Sequence, residues 1–429
     1  MNISTTQKAG ASWFVLFTIA WLLIWTVQLT PLQLLLPLQL DTSESEAGWV
    51  SGVVSSGLVL GVGGLAGVIA GPIAGAFSDR RNPSTSRRRP FALVGTWITA
   101  LCLVFTGMSN TPISIGLAWV GVSIGIAIAS AAFTAMIADQ LPTHQRGAAA
   151  SAASSAQAVG IVVGVGTVVL LGLGVFDSYL VLAIAMGVVG TIVVLLLPDP
   201  PKFSGSEAAA VPVADRADFE TPRSPRLSFL RDHDFRWMLI GRLVVNIGNA
   251  LGTSLLLFFL LYGLEIPKSE AEDSLLLLIV VYTVFVVAAS IVSGVISDKI
   301  GKRRWITVAA AVLQAISGVV IASSPSYATT MFAAALMGVG YGAFMTVGLA
   351  FATDLLPSEK DHARDLGVVN VVAALGQLLG PVIGAGLVAL VGGFWLLFVA
   401  AAVLSLVGGA LTLLAREHKS LQVSSVTNV

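Results

Sequence analysis

The chain is a succession of apolar runs broken by short polar intervals that carry most of its charge. A helix rises about 1.5 Å per residue and the hydrocarbon core of a bilayer is about 30 Å thick, so a run of roughly 18 to 20 residues can cross it. Twelve runs are long enough: 13–38, 48–77, 91–108, 112–137, 147–173, 178–197, 235–264, 274–296, 305–323, 327–352, 366–391 and 394–415. The pattern predicts an all-α membrane protein of twelve transmembrane helices. The interval 198–234, with Pro198, Pro200, Pro201, Pro212, Pro222 and Pro225, reads as a linker with little structure of its own. It divides the chain into a six-helix bundle over 1–197 and a second over 235–429.

The two halves repeat. Asp139 and Pro142 recur 215 positions later as Asp354 and Pro357, and Gln157, Gly160 and Gly164 recur 220 positions later as Gln377, Gly380 and Gly384. Gly75 and Asp79 return 219 positions later as Gly294 and Asp298. Two parallel six-helix repeats with a solute site between them are an architecture of secondary transporters, which implies alternating access and excludes an ordinary soluble enzyme.

Composition agrees. Hydrophobic residues make up 56% of the chain and charged residues 11%, against about a quarter charged in soluble domains. The net charge of zero gives no basic surface for nucleic acid. Cys102 is the single cysteine and forms no internal disulfide. Lys8 precedes an apolar run without a small-residue cleavage site, so this run is expected to be a retained first helix. With the N-terminus in the cytoplasm, tails and cytoplasmic loops hold 21 of the 23 Lys and Arg residues. That asymmetry predicts cytoplasmic termini in the cell membrane.

The candidate chemistry falls into two groups. At the basic helix ends stand Asp79, Arg80, Arg88, Asp139, Asp298, Arg303 and Asp354, where a carboxylate can hold a neighbouring helix through its amides or a basic partner. These are the expected coupling and gating residues. The second run adds Gly57, Gly61, Gly67, Gly71 and Gly75, small residues that let helix backbones approach closely. Inside the membrane the polar side chains are mostly uncharged. Trp25, Gln28 and Gln33 in the first helix, Asn246 and Asn249 in the seventh, and Asn370 and Gln377 in the eleventh are the candidate solute ligands. Amides and indoles suit a sugar-like solute, since they hydrogen-bond hydroxyls and stack on a pyranose face. Arg242 is charged and inside the seventh helix; its stem is long enough to snorkel, or to pair with a carboxylate at the cytoplasmic end, and it joins the gating set.

The loop Gly75-Ala76-Phe77-Ser78-Asp79-Arg80-Arg81 with Arg87-Arg88-Arg89-Pro90-Phe91 resembles the signature loop of the major facilitator superfamily. The arginine string, Gln28-Leu29 with Pro31, Ala138-Asp139, and Leu366-Gly367-Val368-Val369-Asn370 with Gln377 resemble the sucrose-proton symporters and the glycoside-pentoside-hexuronide cation symporter group. That resemblance implies sugar uptake with a proton, with Asp139 carried over as the coupling residue. The competing expectation is proton-coupled efflux of drugs or metabolites. Antiporters of this superfamily generally carry an Arg in helix 4 and Gly-Pro in helix 5; here helix 4 has no Arg, and Gly380-Pro381 lies in helix 11. A more remote expectation is a membrane enzyme or sensor, but no His or Cys cluster and no Gly-x-x-x-x-Gly-Lys-Ser/Thr loop is present. The expected partners are a small solute, a proton or other cation and the bilayer, with a monomer, no cofactor and no bound metal.

Overall fold

The computed structural model of the chain describes residues 10–42, 48–79, 88–141, 143–197, 232–355 and 362–416. In chain order the membrane-crossing helices are α1 (Ala11–Gln39), α2 (Gly48–Asp79), α3 (Arg89–Met108), α4 (Pro112–Gln140), α5 (Thr143–Leu170) and α6 (Val175–Leu196). After the linker come α7 (His233–Ser254, continued as Leu256–Gly263), α8 (Lys268–Ile300), α9 (Arg303–Ser323), α10 (Tyr327–Asp354), α11 (His362–Val391) and α12 (Trp395–Thr412). Eleven are long and apolar enough to cross a membrane as they stand; α7 is the twelfth when its two pieces, bent by 43°, are taken as one span. The described residues form no strands.

Several helices overrun the apolar stretches that predict them. α8 begins at Lys268 rather than 274 and runs to Ile300, because Lys268-Ser269-Glu270 follows Pro267 and places Glu270 in the first turn, favourable to the helix dipole. α7 begins at His233, inside the expected linker, because the Asp232 side chain accepts from the Phe235 amide and caps it. The rest of the linker, 198–231, lies outside the described residues. Arg80 and the side chains of Asp79 and Asn370 lie outside them too.

The first helix of each half carries a π-helical turn: Pro31–Leu35 in α1 and Phe259–Gly263 in α7. In α1 the cause is visible, since Pro31 has no amide hydrogen to give to the ladder. The repeat read in the sequence reappears as packing. Gly160 of α5 sits against Trp25 and Gly164 against Thr26 and Thr30 of α1. In the second half Gly380 of α11 sits against Ala250 of α7 and Gly384 against Leu251 and Leu255. In both cases a β-carbon at the first glycine would overlap the partner helix, so the glycine is what permits the close approach.

Candidate functional site

A polar cluster lies near mid-height of the second half. Asn249 of α7 donates from Nδ2 to the Tyr282 hydroxyl of α8 at 3.5 Å. The Tyr282 ring stacks on Tyr341 of α10 with centroids 6.3 Å apart, and the Tyr341 hydroxyl pairs with the Gln377 side chain of α11. Four helices thereby converge on one network. Gln377 is exposed and both tyrosines are partly so, whereas Asn249 is buried behind them. Tyr hydroxyls and the Gln amide give this wall both donors and acceptors, and the rings supply flat apolar faces.

Arg242 lies one step deeper and departs from expectation. It neither snorkels nor pairs with a carboxylate: the residue is 3% exposed and its side chain crosses to α10. There Nη2 reaches the Met345 sulfur at 3.5 Å, and the guanidinium carbon stands 5.9 Å from the Phe344 ring centroid. Nε and Nη1 have no hydrogen-bond partner. A charged side chain at the centre of a membrane helix costs about 2.5–3.5 kcal/mol on insertion scales, and a thioether is a weak acceptor. Asn246 and Asn249 of α7 are likewise buried. Asn246 donates to the Arg242 carbonyl at 2.7 Å, packs against Gly376 of α11 and leaves its Oδ1 without a partner.

The first half presents a more aromatic wall. Trp21 and Trp25 lie along α1 with ring centroids 6.2 Å apart; the Trp25 indole donates to the Ala153 carbonyl of α5 at 3.1 Å, and the Trp21 indole nitrogen is buried without a partner. Gln28 and Gln33 are half-buried, Gln33 within the π turn.

The two ends of the molecule are built differently. At the end of Asp41 and Lys268 the halves are sealed together. Lys268 Nζ meets Asp41 Oδ2 at 3.1 Å, and the Tyr262 hydroxyl donates to Asp41 Oδ1 at 2.5 Å. The Trp49 ring lies between Tyr262 and Phe394, at centroid distances of 5.1 and 5.4 Å and within 16° of parallel to both. Below it, Gly57 of α2 fits against Pro381 and Ala385 of α11, Gly61 against Val382 and Gly64 against Leu378. Further along α2, a β-carbon on Gly71 or Gly75 would meet nothing within 4 Å among the described residues. In the pair α5 and α8, Leu276 reaches Gly166.

At the opposite, arginine-rich end the ion pairs tie helices within each half. Arg88 Nε binds Asp139 Oδ2 at 2.8 Å, joining α3 to α4. In the second half Arg303 meets Asp354 at 2.6 Å and Asp298 at 3.3 Å, joining α9 to α10 and α8. Arg89 donates to the Leu197 carbonyl at 2.8 Å, and Arg304 to the Ala415 carbonyl at 3.3 Å. The arginine pair and its carboxylate therefore recur at one spacing in both halves.

Of the expected ligands, Gln377 and Asn249 enter one network, while Asn246 and Trp25 spend their donors on backbone carbonyls. The sequence reading missed Tyr282 and Tyr341, and the whole Asp41–Lys268–Tyr262–Trp49 seal. Lys268, alone among basic residues on its side, was the one signal that pointed there.

A sequence profile described as Major Facilitator Superfamily matches residues 13–272 and 243–427. The multidrug resistance protein Stp of Mycobacterium tuberculosis is 27% identical over 126 residues, 29% of this chain and 23% of that protein. A triacylglyceride transporter of Mycobacteroides abscessus is 32% identical over 117 residues, 27% of this chain and 22% of that one. The chain thus aligns with less than a quarter of the length of these curated relatives. Among solved structures, the nucleoside transporter NupG superposes with a TM-score of 0.72 at 13% identity, covering 94% of this chain and 100% of the other. A bacterial homolog of the human lysosomal transporter Spinster, in an inward-facing and occupied conformation, gives 0.68 at 17% identity, covering 94% and 95%.

Proposed function

The chain belongs to the Major Facilitator Superfamily, whose members with this fold are transporters rather than enzymes, and from that premise we propose that it carries a small polar solute by alternating access. The observation that carries this reading is the contrast between the ends: a cross-half seal at one, ion pairs that stay within each half at the other, and a polar network between them.

The concentration of Lys and Arg at the arginine-rich end assigns that end to the cytoplasm and the seal to the outside of the cell membrane. The sequence then comprises an N-terminal bundle and a C-terminal bundle that rock about the α2–α11 and α5–α8 contacts. For the solute, Tyr282, Tyr341 and Gln377 in the second half, with Trp25 and Gln28 in the first, support a molecule with hydroxyl groups and a flat apolar face, the sugar type implied by the symporter resemblance. Proton coupling is assigned to Asp139, the residue that the symporter resemblance carries over, whose carboxylate stands 2.8 Å from Arg88 Nε at the arginine-rich end. The curated relatives, a multidrug resistance protein and a triacylglyceride transporter, favour a second reading, efflux of drug-like or lipid solutes by the same two-ended cycle.

Reconstitution into proteoliposomes separates the two. Sugar symport requires radiolabelled sugar to accumulate with an inward proton gradient and to stop doing so in Asp139→Asn, with exchange retained. Accumulation unchanged by Asp139→Asn removes that residue from coupling, and solute-driven proton movement of opposite sign establishes antiport.

A further inference from the structure

Resting on the carrier reading, we propose that Arg242 receives an anionic group, a carboxylate or phosphate borne by the transported solute. The argument starts from what surrounds the guanidinium. It is buried from solvent, and two of its nitrogens lack an acceptor. Its other contacts are a sulfur and the face of a phenyl ring, neither of which neutralises a full charge. The ion pairs among the described residues all lie toward the helix ends, and Arg242 takes part in none of them. A permanently protonated side chain held in a dry bundle without a counter-charge is a site waiting for one.

The neighbouring residues leave a place for it. Nη1 faces Gly348 of α10, where an added β-carbon would stand only 3.3 Å from that nitrogen, so the absence of a side chain keeps the space beside the charge open. Tyr341 stands one turn before Phe344 and Met345 on α10, the two residues that Arg242 touches, and it is partly exposed. It therefore connects the buried cation to the network of Tyr282, Asn249 and Gln377. An anion seated between Arg242 and Tyr341 would accept from the open guanidinium nitrogens, leaving the body of the solute against the tyrosine and amide wall. This selects among the polar solutes of the carrier reading for those that carry one negative group.

The test uses purified full-length protein in nanodiscs, in chloride-free buffer, with matched neutral and anionic probes: sorbitol against gluconate, glucose against glucose 6-phosphate, and chloride and inorganic phosphate alone. The proposal predicts that at least one organic anion raises the melting temperature by about 5 °C near a hundred times its dissociation constant, while its neutral partner does not. The shift is expected to vanish in Arg242→Gln and to survive in part in Arg242→Lys. A shift that persists in Arg242→Gln overturns the proposal. So does stabilisation by chloride or inorganic phosphate alone, which would make the site one for a free ion. Absence of any anion effect, with Arg242→Gln still exchanging a neutral probe across proteoliposomes, also overturns it while leaving the carrier reading intact. If no probe crosses at all with either protein, it is the carrier reading that fails.

Discussion

The sealed end and the arginine-rich end use the same materials, carboxylates, cations and glycines, toward opposite purposes. At the seal, Asp41 of the first half is shared by Lys268 and Tyr262 of the second, so the bonds cross the boundary that must move. At the arginine-rich end, Arg88–Asp139 and Arg303–Asp354 each stay within one half and hold it rigid. A lock between bodies must be breakable at low cost, whereas a brace within a body should persist through the cycle. Interaction across an interface therefore sets the balance of conformations, and interaction within a half sets its stability.

Substitutions can break that contrast. The largest effect is expected from Gly57→Leu, which would drive a side chain into the Pro381 carbonyl and Ala385. Overpacking costs about 1–3 kcal/mol, so the sealed fraction should fall about tenfold or more. The readout is labelling of a Val53→Cys reporter, buried in the seal, by a membrane-impermeant thiol reagent in a Cys102→Ser background. Gly75→Leu, at the arginine-rich end, should leave that labelling unchanged.

Next comes Asp41→Asn. The Asp41 side chain is only 6% exposed and loses the charge that both partners use, so labelling should rise about tenfold, from the roughly 1.5–3 kcal/mol of a charged hydrogen bond. Arg88→Gln should do the reverse: reporter labelling unchanged, but the melting temperature lowered by about 2 °C, because a half-buried brace is lost. Arg303→Gln is expected to cost less, since its partner Asp354 is half exposed. Smallest is Lys268→Ala. Lys268 is 58% exposed, and a surface pair is worth about 0–1 kcal/mol, so labelling should rise no more than a few-fold. A Tm loss in Asp41→Asn without added labelling would erase the distinction between lock and brace.

How much of this can be read from sequence follows from the range of each interaction. The twelve helices are legible because the bilayer imposes a length on every apolar run. The residues of the braces are legible, since Arg88, Asp139, Arg303 and Asp354 stand at basic helix ends, but which of them pair is not, because the partners lie on different helices. The seal is not, since Asp41 and Tyr262 lie 221 positions apart in different halves and nothing local marks them as partners. Trp25 and Asn246 look like ligands because their donors are visible in sequence, while the backbone carbonyls that take those donors are not. Tyr282 and Tyr341 escape notice for the opposite reason: a tyrosine within an apolar run looks like one more aromatic residue until two helices bring the rings together. The length of Arg242 suggests snorkelling or a carboxylate partner at the cytoplasmic end; Met345 and Phe344 on α10 take it sideways instead.

The central claim, that the two ends open in alternation, is tested most directly by paired distance measurements between spin labels in one cysteine-free background. One pair, at Leu171 and Ser269, reports the sealed end, and another, at Gly147 and Ile300, reports the arginine-rich end. On imposing a proton gradient or adding a transported solute, the account predicts that the first distance lengthens as the second shortens. Two distances that stay fixed, or that lengthen together, would contradict it.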